Sequence, residues 1–308
     1  MMNVRDFALV AFTILSQMAV GSMIVLGIVH FFAIRKAGMQ EADRLSDQIL
    51  PAIGIVLGAA LVVSLTHLGS PLNAPLAILK LSTSWLSREI LFTVSFFVVG
   101  AIFSFMQWRS LSSFAVRNLV AWIAAILGLM QVFSMSHIYM ISTEPAWNSI
   151  ATPISFFTTA FLLGSLAIGT AMVLNYNINR RKDQKCAEVQ CGLLRDSLRW
   201  ISIAAIVLLG VEVVLAPLYV TSLAAGATTA AESASLMLNQ YGLIFAFRLV
   251  LVFIGAGILG IFIYRNALSP GREKILGNLT YSAFALVFIA ELMGRFLFYA
   301  THIRLGLF

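Results

Sequence analysis

The run ISIAAIVLLGVEVVLAPLYV, residues 201–220, holds one Asp, Glu, Lys, Arg or His, Glu212, in twenty positions. It is too long for a buried strand and lacks the alternation of a barrel strand. Crossing the hydrocarbon core takes about 20 apolar residues when the backbone is helical. In lipid the backbone groups find partners only within a helix or a closed barrel. The run therefore predicts a transmembrane helix. Seven further stretches read the same way, giving eight spans at about 7–34, 49–67, 89–107, 118–141, 151–175, 198–221, 241–264 and 278–302. The expected fold is an all-α integral membrane protein, a bundle of eight helices forming one polytopic domain over residues 1–308. The first span carries one Arg before it, outruns a signal-peptide core and has no clear small-x-small cleavage site, so it reads as a retained helix.

Composition agrees. Of the 308 residues 60% are hydrophobic and 11% charged, against about half and about a quarter in soluble domains. A soluble enzyme, a disordered chain and a nucleic-acid binder are excluded as first readings. The net charge of +7 marks topology instead. With eight spans both termini share a side. That side carries Arg5, Lys80, Arg88 and Arg304, and the other carries fourteen of the twenty basic residues, among them the run RRKDQK at 180–185. Cytoplasmic loops carry the excess of Lys and Arg, so both termini are expected outside, in the periplasm if there is one. Cys186 and Cys191 then lie in a cytoplasmic loop, where thiols stay reduced. With no neighbouring His they read as inert, and no metal site is expected. The longest connections are read as 176–197 and 222–240, neither long enough for a folded domain, so any further redox centre must come from another protein.

Ionisable groups within spans are functional candidates by default. His67, Glu89, His137, Arg248, Arg295 and His302 all fall in the outer half, Glu212 and Glu291 nearer the middle, and the inner half holds only His30 by comparison. Each has a plainer reading. Glu89 in SWLSREI can be a first-turn acid behind a Ser87 cap, with Arg88 reaching the headgroups. Glu291 and Arg295, four apart, can be a structural pair. Arg248 can pair with Glu212 or Glu291. His137 and His302 can be interfacial. His67 precedes Gly69-Ser70-Pro71, which ends its helix. A neutral imidazole there accepts a proton from a hydroxyl, and a carboxylate in the next helix relays it. That pairing suits oxidation of a quinol, which releases two electrons and two protons. No Cys cluster suits iron–sulfur ligation, and a haem between His67 and His137 would sit at helix ends, so the electrons are expected to leave for an iron–sulfur centre on a partner.

The segment HLGSPLNAPLAILKLSTSWLSREI, residues 67–90, resembles the connection between the second and third helices in the membrane anchor subunits of bacterial anaerobic dimethyl sulfoxide (DMSO) reductase. MSHIYMISTEPAWNS (135–149) and ELMGRFLFY (291–299) are similar to other parts of that family. The resemblance implies a multi-pass protein of the bacterial inner membrane. It would hold an iron–sulfur subunit and a molybdopterin catalytic subunit, oxidise menaquinol and contain neither haem nor metal. It implies quinol-binding roles for His67 and Glu89. Ser70, Arg88 and His137 complete the candidate quinol-binding set, and Glu212, Arg248, Glu291 and Arg295 are taken as structural intramembrane charges. Three other functions stay open: a secondary transporter using those four charges, a haem-b quinol cytochrome, and an anchor with no quinol site. The in-span Gly255, Gly257 and Gly260 read as close helix packing rather than the broken helices of a transporter.

Overall fold

A computed structural model describes the backbone of residues 4–67, 80–182 and 187–304, and the side chains of residues 7–64, 80–178 and 189–304. The described residues form α1 (Val4–Ala37), α2 (Met39–His67), α3 (Trp85–Trp108), α4 (Phe114–Ile138), α5 (Ala151–Lys182), α6 (Ala187–Ala224), α7 (Thr228–Ser235), α8 (Gly242–Val252), α9 (Leu259–Ala267) and α10 (Glu273–Ala300). A wide π-type turn, Phe253–Ile258, joins α8 to α9 without breaking the rod. Eight helical rods among the described residues are long and apolar enough to cross a membrane, α8 and α9 acting as one from Gly242 to Ala267. Alternating direction puts the start of α1 and the end of α10 at the same end of the bundle, called here the terminal end; the opposite is the far end.

Several helices outrun the expected spans. The α5 helix continues to Lys182 and α6 begins at Ala187, so the connection read as 176–197 is mostly helix. The 38 residues of α6 reach about 57 Å at 1.5 Å per residue, nearly twice the hydrocarbon thickness of about 30 Å. Its first turns therefore stand beyond the apolar layer, where Lys36 of α1 pairs with Asp196. The 222–240 connection likewise holds a helix, α7, which buries Thr229, Ala230, Ser233 and Ala234. At the far end α1 passes to α2 through Gly38 alone. Its φ of +86° lies in the left-handed region that only glycine enters without strain.

Helices α1 and α5 form the centre: 78% and 67% of their most apolar windows are buried, against 17% for α3. Lipid supplies no hydrophobic drive for helices to associate, so close van der Waals fit must hold them. The α1–α5 crossing shows such a fit. A Cβ on Gly21 would lie 2.6 Å from the Ala160 carbonyl carbon, and one on Gly164 would lie 2.6 Å from the Gly21 Cα. The two backbones touch, and only glycine at both positions permits it. Around this crossing pack Ile14, Phe96, Met135, Phe156, Leu162, Leu163 and Leu166, each at most 2% exposed. The in-span glycines of the α8–α9 rod pack closely too. A Cβ on Gly255 would lie 2.8 Å from Val287 of α10, and one on Gly257 2.9 Å from Leu209 of α6.

Candidate functional site

The α3 helix starts earlier than expected, and the cap differs. Ser84, extended at φ −118° and ψ 121°, is the N-cap, and its hydroxyl accepts from the Ser87 amide. The expectation of a Ser87 cap and a first-turn Glu89 is thereby corrected. Ser84 is the short polar residue in extended backbone that can reach the third amide, and Glu89 falls in the second turn, inside the bundle. Its neighbour Arg88, about 100° around the helix, turns the other way. The Arg88 guanidinium donates to the carbonyls of Leu81 and Ser82, both at 2.8 Å, and lies 4.2 Å over the Trp85 ring. It fastens the incoming chain to the helix start.

Glu89 is 6% exposed. Among the described residues no hydrogen bond or ion pair reaches its carboxylate; only its backbone carbonyl is used, by Thr93. Buried polar groups are nearly always hydrogen-bonded, and each exception needs an explanation. Also at the terminal end, the hydroxyls of Tyr139 and Tyr299 bond each other at 2.7 Å. Aromatic rings clamp these hydroxyls. Tyr139 meets Trp147, Phe156 and Phe298 at centroid distances of 5.1, 5.7 and 5.2 Å. Trp147 donates from Nε1 to the Phe298 carbonyl at 2.8 Å and stacks on His302 at 4.2 Å. This cage is made by the ends of α4, α5 and α10 at the terminal end.

One turn deeper, Arg295 donates to the Gln17 Oε1 of α1 at 3.0 Å, and its guanidinium lies 3.6 Å over the Phe156 ring. It does not pair with Glu291. That carboxylate accepts from the Thr159 hydroxyl at 2.6 Å and faces Arg248 at 3.6 Å, while Arg248 also meets Glu212 at 3.3 Å. One guanidinium thus bridges carboxylates of α6 and α10. Gly294 makes room for it: a Cβ there would lie 2.8 Å from the Arg248 Cζ. These charges line a cavity of about 100 Å³ between α5, α6, α8 and α10, with Ser155, Tyr219 and Phe245 also in its wall. Glu291 Oε1, Arg248 Nε and Arg295 Nε are buried around it without hydrogen-bond partners.

Of the residues singled out in the sequence, His67 closes the backbone of α2; its side chain and all of Ser70 lie outside the described residues. His137 is partly buried on the lateral side of α4, against Phe133 at 3.9 Å and Trp85 at 4.8 Å. Its Nδ1 lies 2.9 Å from the Phe133 carbonyl, and no hydrogen bond joins it to Glu89. Arg295, Glu291, Arg248 and Glu212 converge on one cavity, and Glu89, on α3, is not in its wall. Tyr139, Tyr299, Gln17 and Thr159 went unnoticed, being uncharged residues in otherwise apolar helices. The signal for the two tyrosines lies in the stretches SHIYM and RFLFY, where a tyrosine closes the same helix that carries a charge or a His.

The far end corrects the expectation that His30 is alone there. The His30 Nδ1 lies 2.7 Å from the Ser46 hydroxyl and its Nε2 3.6 Å from Asp43. Asp43 accepts from Gln107 at 2.9 Å and Arg117 at 3.2 Å. Arg117, counted among the loop charges, is 8% exposed. An advance of α2 by nearly three turns into the region read as loop brings these groups together.

Comparison with known proteins places these features in a lineage. A family model described as DMSO reductase anchor subunit (DmsC) matches residues 1–301. The C subunit of the anaerobic dimethyl sulfoxide reductase of Escherichia coli (strain K12) is 27% identical over 305 residues, covering 98% of this sequence and 97% of the relative. The YnfH subunit of an anaerobic dimethyl sulfoxide reductase from the same strain is also 27% identical, with 98% and 97% covered. The corresponding C subunit from Haemophilus influenzae (strain ATCC 51907 / DSM 11121 / KW20 / Rd) is 24% identical over 302 residues, with 98% and 96% covered.

Proposed function

The chain belongs to the DMSO reductase anchor subunit (DmsC) family, and from that premise we propose that it binds menaquinol at the terminal end of the bundle, oxidises it, and passes the electrons to an iron–sulfur partner subunit. As a membrane anchor subunit it works within a complex. The proposed complex adds a molybdopterin catalytic subunit and sits in the bacterial inner membrane, both termini outside as the basic residues imply.

The observation that carries the reading is Glu89. It is a carboxyl 6% exposed, with no partner among the described residues, in the second turn of α3 and so at the terminal end, the end that also holds Tyr139, Trp147, Phe156 and Phe298. A quinol head is a flat ring with two hydroxyl donors, and a buried carboxylate with no partner among the described residues is a fitting acceptor for one of them. Glu89 takes the proton of one hydroxyl as its electrons depart, acting as a general base. His67, ending α2 before the connection to α3, is the proposed acceptor for the other. Arg88 and Trp85 keep the entrance of α3 in place through the Leu81 and Ser82 carbonyls. Electron transfer weakens steeply with distance, so the iron–sulfur subunit docks at this same end. Protons and electrons then leave on one side, and the step builds no membrane potential. Binding of a fluorescent hydroxyquinoline quinol-site inhibitor to membranes holding the complex tests the reading. Wild type binds it, and Glu89→Gln binds it at least tenfold more weakly, about 1.4 kcal/mol. Equal affinity in the two would remove Glu89 from the site.

A further inference from the structure

An ionised Glu89 binds the hydrogen of a quinol hydroxyl but offers its oxygen nothing. We propose that the side-chain amide of Gln131, on α4, supplies the missing donor, its Nε2 holding the ring oxygen whose proton Glu89 takes. The proposal rests on the quinol reading above and adds a binding residue to that site.

Gln131 is 0% exposed, and among the described residues neither its amide nitrogen nor its amide oxygen has a hydrogen-bond partner. Ser134, three residues on and also 0% exposed, has a hydroxyl in the same state. Buried polar side chains are nearly always paired, and an exception points to a function or a missing ligand. The polar neighbours are already engaged. Gln17 of α1 accepts from Arg295 at 3.0 Å and donates to the Met135 sulfur at 3.5 Å. The Thr93 hydroxyl donates to the Glu89 carbonyl at 2.7 Å.

Helix register sets Gln131 opposite Glu89. Residues three and four apart share a helix face. On α3, Glu89, Thr93 and Phe96 form one buried stripe; on α4, Ala124, Gly128, Gln131 and Met135 form another. The two stripes meet at Gly128, where a Cβ would lie 3.3 Å from the Phe96 ring and 3.0 Å from Val20 of α1. A second anchor lies nearer the terminal end, where the Trp85 ring stands between Phe133 at 5.7 Å and His137 at 4.8 Å. The helices are antiparallel, so a step inward on α3 matches a step back on α4. Glu89 lies four residues inward of Trp85, and Gln131 lies four residues back from the midpoint of Phe133 and His137. Glu89 lies seven residues outward of Phe96, and Met135 lies seven residues on from Gly128. Both counts set Glu89 level with the turn from Gln131 to Met135. A carboxylate and an amide, each without a partner among the described residues, thus occupy facing stripes at one depth. One hydroxyl oxygen between them satisfies both, donating its hydrogen to Glu89 and accepting from Gln131. Phe96, packed on Gly128, closes the space below.

Gln131 exchanges no proton. The O–H bond of the held hydroxyl breaks and its proton goes to Glu89, while the other hydroxyl's proton goes to His67. Two electrons leave to an iron–sulfur cluster of the partner subunit, and the ring becomes the quinone. The Gln131 N–H stays on the oxygen as negative charge develops there, so it favours the deprotonated ring over the starting quinol.

The test uses the assembled complex in membranes and three single variants: Gln131→Met, Gln131→Leu and Glu89→Gln. Hydroxyquinoline affinity, quinol-analogue-driven turnover, turnover with a direct artificial donor and the thermal midpoint of the solubilised complex are each recorded. Both Gln131 variants are expected to bind the inhibitor on the order of tenfold more weakly and to lose quinol-driven turnover. Artificial-donor turnover should match wild type. The midpoint should stay level or rise, because an unpaired buried amide has been removed. Loss of affinity in one variant alone, or loss matched by a lower midpoint, would follow packing rather than the amide and overturn the proposal. An amide that only packs or holds a water leaves both variants at wild-type affinity and turnover. If that is seen while Glu89→Gln is impaired, the quinol site stands without Gln131; if Glu89→Gln is also unaffected, the quinol site itself is wrong.

Discussion

Replacing Gly294 by alanine tests the charge bridge at the core of the bundle. A Cβ there would lie 2.8 Å from the Arg248 Cζ and 3.1 Å from its Nη2. Heavy atoms settle at about 3.5–4.0 Å, so the guanidinium must retreat by about 1 Å. It now holds Glu212 at 3.3 Å and Glu291 at 3.6 Å, and a retreat from α10 carries the Glu291 pair past contact. Leaving a buried charge without its partner costs about 3–5 kcal/mol, and alanine returns about 1 kcal/mol of helix propensity. The net expectation is a loss of about 2–4 kcal/mol. Gly210 on α6 is the control, since a Cβ there meets nothing within 4 Å. Thermal unfolding in detergent, followed by fluorescence-detected size exclusion, should lower the midpoint of Gly294→Ala by about 4–8 °C, at about 2 °C per kcal/mol. Gly210→Ala should stay level or rise. Equal midpoints for the two would show that the guanidinium does not cross α10 at Gly294, and the cavity wall would have to be redrawn.

Other outcomes follow from the same geometry. Gly164→Ala sets a Cβ against the α1 backbone, 2.6 Å from the Gly21 Cα, where no side chain can yield; the folded yield on size exclusion should fall sharply, and a wild-type yield would mean the helices do not touch there. Arg117→Ala removes a buried partner of Asp43 and should cost about 3 kcal/mol, read as a lower unfolding midpoint that Arg109→Ala, at an exposed site, does not share. In a variant with Cys186 and Cys191 replaced, Asn148→Cys should react with an impermeant maleimide from outside the cell and Ser269→Cys should not. The opposite pattern would invert the topology.

The number and course of the spans were legible because a long apolar run admits few structures in lipid. Their ends were not, because a helix that leaves the membrane stops obeying hydropathy. Residues 176–182 and 187–197 are helical yet polar, and α2 starts at Met39 rather than near 49. That shift hid Asp43 and Ser46 and with them the His30 cluster. Charges announced the other polar centre: Glu89, Glu212, Arg248, Glu291 and Arg295 stand out in apolar sequence, and the fold gathers the last four around one cavity. What charge could not announce was their partners. Arg295 chose Gln17, 278 positions away in the sequence, over Glu291 one turn away, because α1 runs through the centre and the Phe156 ring offers the guanidinium a face. Tyr139 and Tyr299 are 160 positions apart, and only the packing of α4 and α10 against α1 and α5 brings them together.

The central claim is that quinol chemistry takes place in this protein at Glu89. The most direct measurement compares quinol-analogue-driven reduction of the terminal acceptor by wild type and Glu89→Gln in membranes holding the whole complex, with an artificial donor feeding the catalytic subunit as control. The account predicts that the variant loses quinol-driven turnover by a factor on the order of 100 and keeps artificial-donor turnover intact. Wild-type quinol-driven turnover in the variant would contradict it.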